Sequence, residues 1–252
     1  MDRSPTSHKG QNGIVTVIGG SKQMHGAPIF SAFAAEAAGV DLIFPCVPEC
    51  HAEVTKQASP NFIVTPFRGN DLVKADVSAL EDVLARSTAA VIGPGLAAFE
   101  TTQKATEKLI KEVTIPLVLD ASALQTWTLD TLREKTAVIT PHIGELGRMQ
   151  GQVLRTKSDA EKKDFACTIA KERGVTMILK GPVDVIAGPE GRCEEVAGGN
   201  AGLTVGGTGD ALAGLIAGLM AQGEKPFEAS VMATTILKKA ADILQEKKGF
   251  SY

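Results

Sequence analysis

The chain has 252 residues, of which 44% are hydrophobic, 22% charged and 4% aromatic, with 26 Gly and 12 Pro. These proportions exclude a disordered or fibrous chain, and a globular chain of this length buries roughly 70–75% of its unfolded surface. Its 26 Lys plus Arg stand against 29 Asp plus Glu, a formal net charge of -3. No overall field is left to hold nucleic acid or an anionic membrane, and aromatic side chains are too few for a base-stacking platform.

The first residues, MDRSPTSHKGQNG, are polar and unlike a signal peptide. None of Cys46, Cys50, Cys167 and Cys193 forms a C-x-x-C pair, so the expectation is a reducing, cytoplasmic setting without a disulfide framework. Cys46, Cys50 and His51 form a Cys/His cluster. It falls short of the four ligands that zinc takes. No apolar run reaches the ~20 residues of a spanning helix.

Along the chain, unbroken runs rich in Val and Ile predict strands at residues 13–18, 41–47, 89–92, 117–119, 137–140 and 176–179. Runs of this kind belong to strands covered on both faces. Helical patterns lie between them at 28–38, 80–86, 101–113 and 157–173. The alternation predicts one α/β domain over residues 1–252, with a mostly parallel sheet between helices. In MILKGPVDVIAGPEG two apolar runs flank Gly181 and Pro182, which reads as an antiparallel pair of strands at the edge of that sheet.

Ligands of open α/β sheets bind beyond the C-terminal strand ends. Gly19, Gly20 and Ser21 should therefore share one crevice with Gly93, Pro94 and Gly95, with Asp120, with Thr140, Pro141 and His142, and with Lys180 and Gly181. The densest glycine segment, GGNAGLTVGGTGDALAGLIAGLMAQG, is a loop over residues 198–209 followed by a helix starting near Asp210. Amide groups at a helix N-terminus, helped by the helix dipole, make an anion site. It is not a P-loop, because Thr208 stands where Lys is required after Gly207. It is not the dinucleotide fingerprint either, because Leu212 replaces the third glycine. Gly214 and Gly218 each cost about 1 kcal/mol of helix propensity, which close helix packing would offset. Asp210 has two readings: a helix N-cap, or a base where a substrate hydroxyl meets a phosphoryl donor.

The motifs together resemble the NAD(P)H-hydrate dehydratases of the ribokinase-like superfamily. They are HKGQNGIVTVIGGS, M-H-G-A-P at 24–28, G-P-G-L at 93–96, L-D-A-S-A-L at 119–124, T-P-H-I-G-E-L at 140–146, I-L-K-G at 178–181 and G-N-A-G-L-T-V-G-G-T-G-D at 199–210. They stand in the family's order over nearly the whole chain. G-T-G-D marks only the superfamily, whereas T-P-H-x-G-E, L-K-G and G-N-x-G mark the dehydratases.

The resemblance implies a three-layer α/β/α sandwich and a repair hydro-lyase. The family acts on the S epimer of hydrated NADH or NADPH, with ADP as co-substrate in bacteria and archaea and ATP in eukaryotes. Phosphorylation converts the unwanted hydroxyl into a leaving group, and phosphate is eliminated. By the family pattern Asp210 is the base, with Gly207, Thr208 and Gly209 forming the anion hole. Lys180, Gly181, Pro182, Val183, Asp184, Asn200 and Gly209 line the nucleotide site. Ala27, Gly95, His142 and Asp210 contact the hydrate. The resemblance also implies Mg²⁺ with the diphosphate, a homo-oligomer such as a tetramer, and a separate epimerase partner. Ile143, Ser122 and Met24 depart from the usual Pro, Asp and Tyr, and GFSY ends where family members continue, as a shortened C-terminus would. Two other readings share part of this pattern: a superfamily kinase for a vitamin precursor, and a silent nucleotide-binding protein.

Overall fold

The computed structural model describes residues 3–250. The expectation of a shortened end falls partly on Ser251 and Tyr252, which lie outside the described residues, as do Met1 and Asp2. The strands are β1 (Ile14–Ile18), β2 (Leu42–Pro48), β3 (Thr65–Phe67), β4 (Ala89–Ile92), β5 (Leu117–Leu119), β6 (Ala137–Ile139), β7 (Thr176–Leu179), β8 (Asp184–Ala187) and β9 (Cys193–Val196). The helices are α1 (Gly26–Ala37), α2 (Ala52–Ala58), α3 (Val77–Leu84), α4 (Glu100–Glu112), α5 (Thr128–Thr131), α6 (Ile143–Met149), α7 (Asp159–Arg173), α8 (Thr208–Ala221) and α9 (Pro226–Lys248).

The strands form one sheet in the order β3-β2-β1-β4-β5-β6-β7-β8-β9. Pairing is parallel from β3 through β7 and antiparallel from β7 to β8 and from β8 to β9. The expected mostly parallel sheet with an antiparallel edge is what forms, with β3 and β9 added to the predicted strands. Side chains alternate between the two faces, as the two-residue strand period requires. Ile92, Leu117, Leu119, Ile139 and Met177 face α3, α4, α6 and α7, whereas Val91, Val118, Val138 and Ile178 face α1, α8 and α9. Helices therefore cover both faces, giving three layers.

Two features position the functional end. The strand order reverses between β1 and β4, so the loops after these strands diverge and leave a crevice at their C-terminal ends. A Cβ at Gly19 would collide with the Pro94 carbonyl, and the Gly20 N–H donates to that same oxygen at 2.8 Å. Next to it, α1 and α8 lie in close contact because Gly214 and Gly218 carry no side chain. A Cβ at Gly214 would overlap the Ser31 carbonyl, and one at Gly218 would come within 2.5 Å of Ala38 Cβ. The Ser31 hydroxyl donates to the Asp210 carbonyl at 2.8 Å, which ties α1 to the first turn of α8.

One expectation fails. Cys167 on α7 and Cys193 on β9 are joined by a disulfide, with their Cα atoms 6.2 Å apart. Residue spacing could not foresee it, because the pair comes from α7 packing beside an edge strand whose charged sequence conceals it. Cys46 and Cys50 are free thiols, the first buried and the second exposed, and His51 Nε2 lies 3.0 Å from the Ser21 carbonyl. Among the described residues no helix is long and apolar enough to cross a membrane.

Candidate active site

The glycine-rich segment is more structured than a plain loop. Gly198 and Gly199 take left-handed backbone conformations (φ 100° and 74°), and a short 3-10 turn follows over Ala201–Thr204. Asn200 caps that turn, its Oδ1 accepting from the Gly202 N–H at 2.9 Å. Gly207, at φ 101°, is the N-cap of α8, which begins at Thr208, two residues earlier than expected. Asp210 therefore sits inside the first turn rather than at the cap, and its side chain makes no capping bond. The Thr208 N–H donates to the Val205 carbonyl at 3.4 Å, whereas the Gly209 and Asp210 amide groups have no carbonyl of their own helix to bond and are left as donors. The Thr208 hydroxyl is turned back, donating to the Leu203 carbonyl at 2.8 Å.

Beside this helix start lies a cavity of about 620 Å³ lined by Lys180, Gly181, Pro182, Asp184, Asn200, Thr208 and Gly209, with Leu203, Leu212 and Leu237 as its apolar wall. The volume suits a nucleotide-sized ligand. Val183 is absent from this lining and is 45% exposed at the outside of the β7–β8 turn. The rim is shaped by two residues of α9. Lys238, 4% exposed, reaches the Pro182 carbonyl at 2.9 Å, the Gly198 carbonyl at 3.2 Å and Asp184 Oδ2 at 3.3 Å. One helical turn on, Asp242 accepts from the Gly199 N–H at 3.0 Å and from Asn200 Nδ2 at 3.2 Å. A single helix thus holds both loops of the cavity.

The other expected residues lie off this cavity, towards the β1/β4 crevice. Ala27, in the first turn of α1, and Gly95 adjoin: a Cβ at Gly95 would stand 3.1 Å from that of Ala27. Phe30, one turn further along α1, is half-exposed and lies over Gly207, where an added Cβ would meet its ring at 2.7 Å. Gly207 thus adjoins the crevice side and Gly209 the cavity side of one helix N-terminus.

His142 and Glu145 explain the T-P-H-x-G-E pattern physically. His142 is the N-cap of α6: its Nδ1 accepts from the Gly144 and Glu145 N–H groups at 3.0 Å each, and Glu145 Oε2 accepts from the His142 N–H at 2.8 Å. This reciprocal capping box uses the Nδ1 lone pair. The neutral ring then carries its proton on Nε2, as a donor. Lys180, at the end of β7, donates to Asp120 Oδ1 at 2.9 Å, and its Nζ lies 4.0 Å from Glu145 Oε2. Burial works against the ammonium form, yet Asp120, Glu145 and Asp210 outweigh it and raise the Lys180 pKa above the ordinary lysine value. Burial, then the nearby Asp120 charge, push Asp210 up to about 6, with Lys180 pulling the other way. A carboxyl with a proton affinity near neutrality is suited to accept a proton from a hydroxyl.

Glu145, Lys238 and Asp242 were not foreseen near the site, and Asp120 was expected only as one of several strand ends facing the crevice. Asp120 and Glu145 stood in motifs already singled out, while Lys238 and Asp242 read as ordinary polar residues of a long helix. Of the departures from the family pattern, Ser122 donates to the Leu96 carbonyl at 2.6 Å and so joins the loops after β4 and β5. Met24 is half-exposed beside Gly95.

A three-layer sheet protein with a glycine-rich turn at a helix start, a carboxylate in that first turn and a nucleotide-sized cavity beside it is of the ribokinase-like class. A ribokinase-like superfamily protein from Enterococcus faecalis superposes with a TM-score of 0.83 at 27% identity, covering 97% of this chain and 84% of that one. The chain belongs to the NAD(P)H-hydrate dehydratase family, whose pattern matches residues 15–252. It is 41% identical over 252 residues to the ADP-dependent (S)-NAD(P)H-hydrate dehydratase of Nitrosopumilus maritimus, covering 98% of this chain and 86% of that protein. The ADP/ATP-dependent NAD(P)H-hydrate dehydratase of Bacillus subtilis, co-crystallized with ATP/Mg²⁺, superposes with a TM-score of 0.83 at 27% identity, covering 100% of this chain and 87% of that one.

Proposed function

We propose that this protein uses ADP to dehydrate the S epimer of hydrated NADH or NADPH, returning the reduced nicotinamide with AMP and phosphate. One observation carries the reading: the N-terminus of α8 stands between the 620 Å³ cavity and the β1/β4 crevice, with Asp210 in its first turn. A donor nucleotide on one side and a hydroxyl on the other would meet there. The family membership and the Nitrosopumilus relative support the same substrate and donor.

In this reading the diphosphate lies in the cavity against Lys180, Gly181, Pro182, Asp184 and Asn200, with Val183 at its outer margin. The amide groups of Gly207 and Gly209 face the transferred phosphoryl group, with Thr208 between them bonded through its own N–H to the Val205 carbonyl, and Gly209 also adjoins the AMP moiety. The hydrate occupies the crevice against Ala27, Gly95 and His142, which offers it the Nε2 proton. Asp210 takes the hydroxyl proton as oxygen bonds to the β-phosphorus of ADP and AMP departs. Phosphate then leaves the ring carbon with both electrons of that C–O bond, and loss of a proton from the neighbouring carbon restores the double bond. Position and charge stabilisation supply the rate, as in other phosphoryl transfers.

Mg²⁺ would accompany the diphosphate and screen its charge. Among the described residues no group of three or more His, Cys, Asp or Glu side chains is placed to hold a metal ion, and no step is assigned to the ion. We place the enzyme in the cytoplasm, as a homo-oligomer such as a tetramer, working with an epimerase activity that converts the R epimer. The test is incubation with ADP and hydrated NADH. Recovery of reduced-nicotinamide absorbance with release of AMP and phosphate is the expected result. A stable phosphorylated product would mark a kinase, and nucleotide binding without turnover a silent binder.

A further inference from the structure

The polypeptide is bent against its preference where β5 ends. Ala121 holds a left-handed conformation (φ 51°) that residues with a Cβ rarely adopt. Beneath it Gly93, itself at φ 126°, leaves room for the Asp120 carbonyl, with which any Cβ there would collide. The Asp120 N–H is fixed by the Ile92 carbonyl at 3.2 Å. These constraints place the Asp120 carboxylate, 2% exposed, at the centre of the strand ends. Its Oδ1 accepts from the Thr140 hydroxyl at 2.7 Å and from Lys180 Nζ at 2.9 Å. Its Oδ2 is directed at Gly209: a Cβ on that glycine would lie 3.7 Å from Oδ2 and 3.4 Å from Lys180 Nζ.

We propose that Asp120 is a positioning residue for phosphoryl transfer, its buried carboxylate holding the Lys180 ammonium over Gly209 at the start of α8. The inference rests on the reading of this site as one where ADP phosphorylates the hydrate. A flexible lysine at the cavity wall has many rotamers available. Asp120 and Thr140 select the one in which the ammonium stands beside the helix N-terminus, where charge develops on the transferred group. Glu145 closes the arrangement at 4.0 Å from the same ammonium. The charged groups around Asp210 are then Asp120 from the end of β5 and Lys180 from the end of β7, with Glu145 and His142 beyond Lys180 at the start of α6. Asp120 repels the ionised form of Asp210 and so keeps its proton affinity high.

The test is Asp120→Asn. Asn retains an acceptor for Thr140 and Lys180 but no charge, so the fold has reason to survive while the grip on the ammonium weakens. The expected result is a kcat lower by about 10- to 100-fold, as for other displaced catalytic groups, with KM for ADP changed less than threefold. The acidic limb of the kcat–pH profile moves to lower pH, because Asp210 loses its repelling neighbour. A residue that only supports the fold would lower thermal stability and move neither quantity. A kcat within threefold of the parent with an unmoved acidic limb overturns the proposal. If Asp120→Asn does not fold, Thr140→Val removes one donor at nearly constant shape. A several-fold loss of kcat at unchanged KM then supports the proposal, and an unchanged kcat overturns it. Failure of the underlying reading is distinguishable, since the parent enzyme would then show no ADP-dependent recovery of reduced nicotinamide.

Discussion

Asp210→Asn should cost activity and return stability, and the two effects have separate structural origins. Asp210 lies in the first turn of α8 with no capping bond, so the substitution leaves the start of the helix intact. Removal of a general base costs typically about 10²–10⁴-fold in rate. The stability effect follows from the folded carboxyl releasing its proton at about 6 against an ordinary 3.8. Between those values the unfolded chain binds fewer protons than the folded one, so wild-type stability falls as pH rises through the interval. The loss is complete above about pH 7. The full difference corresponds to about 3 kcal/mol. Discounting for the partial solvation of this side chain leaves about 1–2 kcal/mol. Loss of a negative charge near the helix N-terminus gives back about 0.3–1 kcal/mol. A net gain of about 1 kcal/mol raises Tm by roughly 2–4 °C for a chain of this size. Turnover and thermal unfolding on one preparation, at pH 4 and pH 8, check both expectations. The Asn variant should be nearly inactive, more stable than the parent at pH 8 and no more stable at pH 4. Turnover within a few-fold of the parent, or a stability difference independent of pH, would refute the reasoning.

Lys180→Ala should weaken ADP binding by roughly 10- to 100-fold, the worth of a charge-assisted contact of about 1.5–3 kcal/mol. It should also lower Tm, because Asp120 loses its cationic partner; calorimetric titration showing parental ADP affinity would count against the assignment. Gly214→Ala should destabilise by about 1–3 kcal/mol or more through overlap with the Ser31 carbonyl. Because Ser31 holds the first turn of α8, kcat in that variant should drop although no site residue has changed. Cys167→Ser opens a disulfide whose partners are 26 residues apart, worth about 3 kcal/mol on loop-closure grounds. The variant should melt lower than the parent under oxidising conditions and level with it under reductant.

Strands buried on both faces announced themselves as unbroken apolar runs, which is why β1, β2 and β4 to β8 were legible within a residue or two. β3 (Thr65–Phe67) was not, because Pro66 is tolerated only where a strand needs no full ladder. β9 carries Glu194 and Glu195 because an edge strand faces water, so its composition resembles a turn. The glycine-dense loop ahead of α8 was legible from composition, and Gly198, Gly199 and Gly207 do occupy conformations that side chains rarely take. Asp120 was one polar strand end among several, and only the closed sheet shows which of them lies against Gly209. Lys238 and Asp242 gave no local signal, because their partners arrive from loops 40 to 56 residues earlier.

The hydroxyl of Ser31 and the carbonyl of Asp210 are 179 residues apart in the chain. At ordinary ribosomal rates that interval takes on the order of 10–40 s. Through all of it α1 has left the ribosome without the glycine-lined helix that covers its Ala32 and Ala35 face. Such long-range closure slows folding and leaves a nascent chain open to capture by other apolar surfaces. It also means that no partially synthesised chain holds a working site: α1 must wait for α8, and the loops of the cavity must wait for α9. Burying one small-residue helix face thus delays the proposed action on a nucleotide until α8 and α9 have both been made.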